Sequence, residues 1–97
     1  MTAPAALRGI TILERGWLSS NNVLLHGGGS GAWLVDTGHV LHAAQTVALV
    51  RQALAGEPLR GIVNTHLHSD HCGGNAAVQR AFGGRILIPP GHWSAAL

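Results

Sequence analysis

The 97-residue sequence predicts an α/β layer, a sheet packed against helices. Two observations carry that expectation. Short apolar runs alternate with stretches of helical spacing, in the order strands, helix, strand, helix, strand. Glycine and proline clusters fall between these runs, where turns and helix ends require them.

Ile10 to Leu13 is a short β-branched run and reads as an edge strand. Asn22 to His26 and Ala32 to Asp36 are two apolar runs separated by Gly27-Gly28-Gly29-Ser30-Gly31. Five glycine-rich residues between strand-like runs predict a hairpin. A dinucleotide-binding glycine loop is excluded, because its second half must open a helix and a strand follows here. Asp36-Thr37-Gly38 ends the strand, and Leu41, Ala44, Val47, Ala48, Val50 and Leu54 then recur at helical spacing from Val40 to Leu54. Gly56 as a C-cap and Pro58 beyond it stop that helix. Leu59 to Asn64 reads as a buried strand, and Thr65 to Gly74 is polar and glycine-punctuated. Asn75 to Phe82 reads as a second helix ended by Gly83-Gly84, and Arg85 to Ile88 as a last strand closed by Pro89-Pro90-Gly91. No linker or internal repeat divides residues 1–97, which are read as one small domain.

Composition excludes several functions. The six cations are all arginine, at positions 8, 15, 51, 60, 80 and 85. Without lysine there is no P-loop and no Schiff-base chemistry. Scattered single arginines do not make the clustered patch that nucleic acid requires, so no nucleic-acid partner is expected. One cysteine, Cys72, excludes an internal disulfide framework and fits a reducing compartment. No signal-peptide pattern and no apolar run near 20 residues is present, so no membrane partner and a cytoplasmic location are expected. The unusual feature is seven histidines, three of them within six positions.

Those three lie in His66-Leu67-His68-Ser69-Asp70-His71. In an extended segment His66 and His68 point to the same side. Asp70 and His71 follow where the chain turns toward the next helix. Three imidazoles and a carboxylate suit zinc or another transition metal. The end of a strand is also where α/β sheets place ligands. With seven His and two Asp in the chain, the pattern arises by accident on the order of 10⁻³ times. The bland alternative is a solvated polar loop. It leaves four titratable groups between an apolar strand and a helix with nothing to bind them.

His66 to His71, with Gly73-Gly74 after it, Asn64-Thr65 before it and Val35-Asp36-Thr37-Gly38 upstream, resembles the metallo-β-lactamase fold superfamily of zinc hydrolases. The resemblance runs from Asn22 to Ile88. It implies the N-terminal half of an αββα sandwich, a mixed β-sheet with helices on one face. It also implies two metal sites. His66 and His68 would bind the first metal, Asp70 and His71 the second, and Asp70 would also orient the nucleophile as the catalytic carboxylate. Asp36 would orient the metal loop from behind, and Gly73 and Gly74 would let backbone pack close to the site. The family takes further histidines and a bridging carboxylate from positions beyond Leu97. The implied cofactor is Zn²⁺, two ions in the complete protein, with iron as the other metal of the fold. The implied reaction uses zinc-bound hydroxide on a small-molecule ester, thioester, lactone or amide. Two alternatives keep the fold: a short protein that binds metal weakly without catalysis, and an iron-dependent sulfur oxidoreductase.

The remaining candidates read as structural. His39 and His42 flank the first helix start and lack a third ligand. His26 sits on a hairpin strand, and His92 in a loop near the chain end. Cys72 diverges from its neighbour His71 and reads as a small buried thiol. Trp17, Trp33 and Trp93 read as core or pocket wall, and Gly28-Gly29-Ser30-Gly31-Ala32 is not a nucleophile elbow.

Overall fold

A computed structural model of the chain describes residues 9–14, 21–66 and 72–88. Trp17, His92 and Trp93 lie outside them. Five strands, β1 (Ile10–Leu13), β2 (Asn22–Leu25), β3 (Ala32–Val35), β4 (Leu59–Val63) and β5 (Arg85–Leu87), form one sheet whose spatial order is their chain order. Helix α1 (Ala43–Leu54) lies between β3 and β4, and helix α2 (Asn75–Phe82) between β4 and β5.

The sheet is mixed because its connections differ in length. β1, β2 and β3 pair antiparallel, and the glycine loop between β2 and β3 makes the expected tight return through a 3-10 turn at Gly28–Ser30. β3, β4 and β5 pair parallel, each step using a helical crossover. Both crossovers move the same way across the sheet. Right-handed connections therefore lay both helices on one face, where they pack against each other.

That face holds the core. Leu24, Leu34, Ile62 and Ile86 sit opposite one another across four strands. Val50 and Leu54 of α1 and Val78 of α2 close over them. On the other face Trp33 lies on Gly61, where a Cβ would come within 2.5 Å of the indole and of the Arg85 carbonyl. Only glycine lets the indole lie that low on the sheet. Ile12, Leu25 and Leu87 stand exposed on this less covered side.

The first helix departs from its expected phase. Val40–His42 forms a 3-10 turn before the α-helix begins, and the buried stripe is Thr46, Val50 and Leu54. A 3-10 turn advances 3.0 residues per turn rather than 3.6, so Leu41 falls off the stripe and is 81% exposed. The helix stop also differs. Ala55, not Gly56, is the C-cap, with φ +49 in the left-handed region, and Gly56 follows at φ +94. Alanine there costs about 1 kcal/mol over glycine. Ala55→Gly is expected to raise stability by up to about 0.5 kcal/mol after the entropy of the unfolded glycine is counted, read as a higher urea midpoint.

His26 works as a staple at the amino-terminal end of the parallel strands. Its Nε2 lies 2.7 Å from Thr11 Oγ1 and its Nδ1 2.7 Å from Glu57 Oε1. Glu57 Oε2 accepts from the Gly27 amide at 2.9 Å. One imidazole and one carboxylate thus join β1, the glycine loop and the α1–β4 connection. Among the described residues no helix is long and apolar enough to cross a membrane.

Candidate metal centre

The opposite end of the sheet carries the candidate site. β3 and β4 run parallel in register, Val35 beside Val63, so the residues that follow each strand emerge side by side. Asp36 follows β3 and donates its amide to the Val63 carbonyl at 2.8 Å. Asn64, Thr65 and His66 follow β4. Asp36 takes φ +63, a left-handed conformation that aspartate tolerates better than most residues. Its carboxylate is buried at 4% exposure.

That carboxylate grips Thr65 twice. Asp36 Oδ1 accepts from the Thr65 amide at 2.8 Å, and Oδ2 from the Thr65 hydroxyl at 2.6 Å. Thr65 Oγ1 also lies 3.1 Å from His66 Nδ1. The hydroxyl has one proton, and an ionised carboxylate only accepts, so that proton is committed to Asp36. The second contact then requires His66 Nδ1 to carry the hydrogen. With the hydrogen on Nδ1, the ring's available lone pair is the one on Nε2, the form a metal needs when the other ring nitrogen is held by a partner. Asp36 therefore acts on His66 through Thr65.

A second network lies behind the first. Thr37 and Asn64 are fully or almost fully buried at 0% and 2% exposure. The Thr37 hydroxyl donates to Asn75 Oδ1 at 2.8 Å and accepts from the Gly74 amide at 3.1 Å. Asn64 and Asn75 exchange hydrogen bonds, Asn64 Nδ2 donating to Asn75 Oδ1 and Asn75 Nδ2 to Asn64 Oδ1. Thr46 Oγ1 reaches the carbonyls of Thr37 and His42, both at 3.1 Å, and anchors the turn to α1. A Cβ on Gly74 would stand 2.5 Å from the Thr37 carbonyl oxygen, so the close backbone approach expected of this glycine is present. Cys72 bridges to Gly38 in parallel and is half-buried.

Of the expected site residues, Asp36 and His66 are brought to one end of the sheet. His68, Asp70 and His71 lie outside the described residues. Among the described residues no three His, Cys, Asp or Glu side chains converge. His39 caps the 3-10 turn, its Nδ1 accepting from the Leu41 amide at 3.1 Å, which gives this histidine a structural task. The residues to which sequence reasoning gave no role are Thr37, Thr65 and Asn75. Their signal was position: Thr65 directly precedes the first histidine, and Thr37 and Asn75 stand beside the two turns that the strand ends share.

Family comparison accounts for this arrangement. The family described as the metallo-beta-lactamase superfamily matches residues 15–97. The chain belongs to that superfamily. A hydroxyacylglutathione hydrolase of Anaeromyxobacter dehalogenans is 40% identical over 74 residues, which are 76% of this chain and 27% of that protein. Among solved structures, a metallo-beta-lactamase of Cronobacter sakazakii with an HARLDQ motif superposes with TM-score 0.66 at 30% identity, covering 81% of this chain and 30% of that one. MEM-A1, a subclass B3 metallo-beta-lactamase from a soil metagenome library, gives 0.65 at 28% identity, with 80% and 29% covered. The chain thus spans under a third of the length of these relatives. Within that span the superfamily's mixed sheet and its helices are reproduced.

Proposed function

We propose that this superfamily chain supplies metal ligands to a metal-dependent hydrolase, with His66 and His68 on one metal and Asp70 and His71 on a second. The observation that carries this reading is the hydrogen-bonded series from Asp36 through Thr65 to His66, which prepares an imidazole lone pair at the end of a parallel strand. The donor set, nitrogen and carboxylate oxygen without thiolate, fits zinc. A bound zinc supplies Lewis acidity and a water acidified toward neutral pH.

The chain's own residues perform the rest. Asp36 holds Thr65 by two hydrogen bonds and fixes where β4 ends. Thr65 orients the His66 ring. Asp70 is the carboxylate proposed to orient the attacking nucleophile. The substrate is an ester, thioester, lactone or amide. The relative named hydroxyacylglutathione hydrolase, more identical in sequence than the lactamases above, favours an acylglutathione.

Zinc content of the purified protein, measured by atomic absorption, tests the reading. Bound zinc is expected in the parent and is expected to be lost in His66→Ala and His68→Ala. Full retention in both variants sinks the ligand assignment. Turnover of an acylglutathione in preference to a β-lactam by the zinc-loaded protein is the expected substrate result.

A further inference from the structure

We propose that Asn64, Thr37 and Asn75 form a clasp that presets the metal-ligand segment before any metal arrives, and that Asn75 is a positioning residue for metal binding. The proposal rests on the metal-ligand reading above.

The segment that holds the candidate ligands starts after Asn64 and ends before Asn75. These two side chains are joined face to face, each amide donating to the other's oxygen. Their pairing ties the residues that bound the segment, Asn64 and Asn75, to each other. Thr37, from the turn that follows β3, donates to the same Asn75 oxygen and receives the Gly74 amide. The Gly74 amide also reaches the Gly38 carbonyl at 3.2 Å, so the far end of the segment is pinned to backbone as well.

The accounting of donors explains why asparagine is needed at both positions. Asn75 Oδ1 accepts two hydrogen bonds while its Nδ2 gives one. An aspartate keeps the two acceptances and loses the donation, and an apolar residue loses all three. Asn64 is nearly fully buried, so its amide has little access to water as a substitute partner. A clasp of this kind lowers the ordering entropy that the metal must otherwise offset on binding.

The test separates positioning from mere stability. Zinc affinity is measured by competition with a chromophoric chelator, and the melting midpoint of the metal-free protein is measured in parallel. Asn75→Ala is expected to bind zinc about tenfold more weakly at a temperature where the metal-free form is folded. Thr37→Val, which keeps the side-chain shape, is expected to weaken zinc in the same direction, and Thr37→Ser to restore it. If Asn75→Ala fails to fold, the Thr37 pair decides alone. A lower melting midpoint with zinc affinity within about twofold of the parent in Asn75→Ala and Thr37→Val overturns the clasp and leaves the ligand reading standing. A folded parent protein that binds no zinc overturns both.

Discussion

Asp36→Asn is expected to keep the fold and weaken zinc binding by about 10- to 100-fold. Asparagine matches aspartate in shape and tolerates the left-handed φ of +63 found at this position. With its oxygen turned to the Thr65 amide, its Nδ2 faces the Thr65 hydroxyl, which now receives a hydrogen instead of giving one. The hydroxyl proton is then released toward His66 Nδ1, 3.1 Å away. The ring responds by carrying its hydrogen on Nε2, and the lone pair proposed for the metal is gone. Asp36→Ala loses both Thr65 bonds and places alanine in the left-handed region, for a combined cost of about 3 kcal/mol. The two variants therefore separate. Chelator competition should show the loss in Asp36→Asn at nearly parental melting temperature, whereas Asp36→Ala should lose both. Parental zinc affinity in a folded Asp36→Asn protein would show that Thr65 does not relay the carboxylate's orientation.

Ile62→Ala is the substitution expected to remove the fold itself. Ile62 is 1% exposed in the centre of the sheet, with Leu34 beside it on one strand and Ile86 on the other. Truncating a buried isoleucine costs about 2–5 kcal/mol, a large share of the about 5–15 kcal/mol by which folded domains are stable. A thermal melt followed by circular dichroism should lose its cooperative transition. Leu41→Ala is the comparison, since Leu41 is apolar but 81% exposed, and its effect should stay within about 0.5 kcal/mol. Equal losses from the two would contradict the core described above.

How far the sequence led depended on the range of each interaction. The strands were legible because local apolar runs and glycine loops set them, and Asn75–Phe82 emerged with the expected bounds. The phase of α1 was not legible. A 3-10 turn and an α-helix place the same apolar residues at similar spacings, and only packing decides which of Leu41 and Thr46 goes inside. The left-handed position at Ala55 was missed because glycine, one residue later, is the usual sign for it. At the candidate site, His66 announced itself by its pattern, and Asp36 entered through family resemblance. Thr37 stood in that motif without a role and Asn75 outside it, because they meet across 38 positions of chain and read singly as ordinary turn residues. Buried polar pairings of that separation leave no periodic trace.

The identity of spatial and chain order in the sheet bears on how the molecule is made. Each strand, as it leaves the ribosome, finds its partner already in place beside the strand just before it. After β1, every described strand meets a partner already synthesised. Growth runs in one direction, from the β1–β2 hairpin toward β5, and the nascent sheet has a single advancing edge. Asn75 emerges after β4 is paired, so the clasp closes once β3 and β4 have already joined.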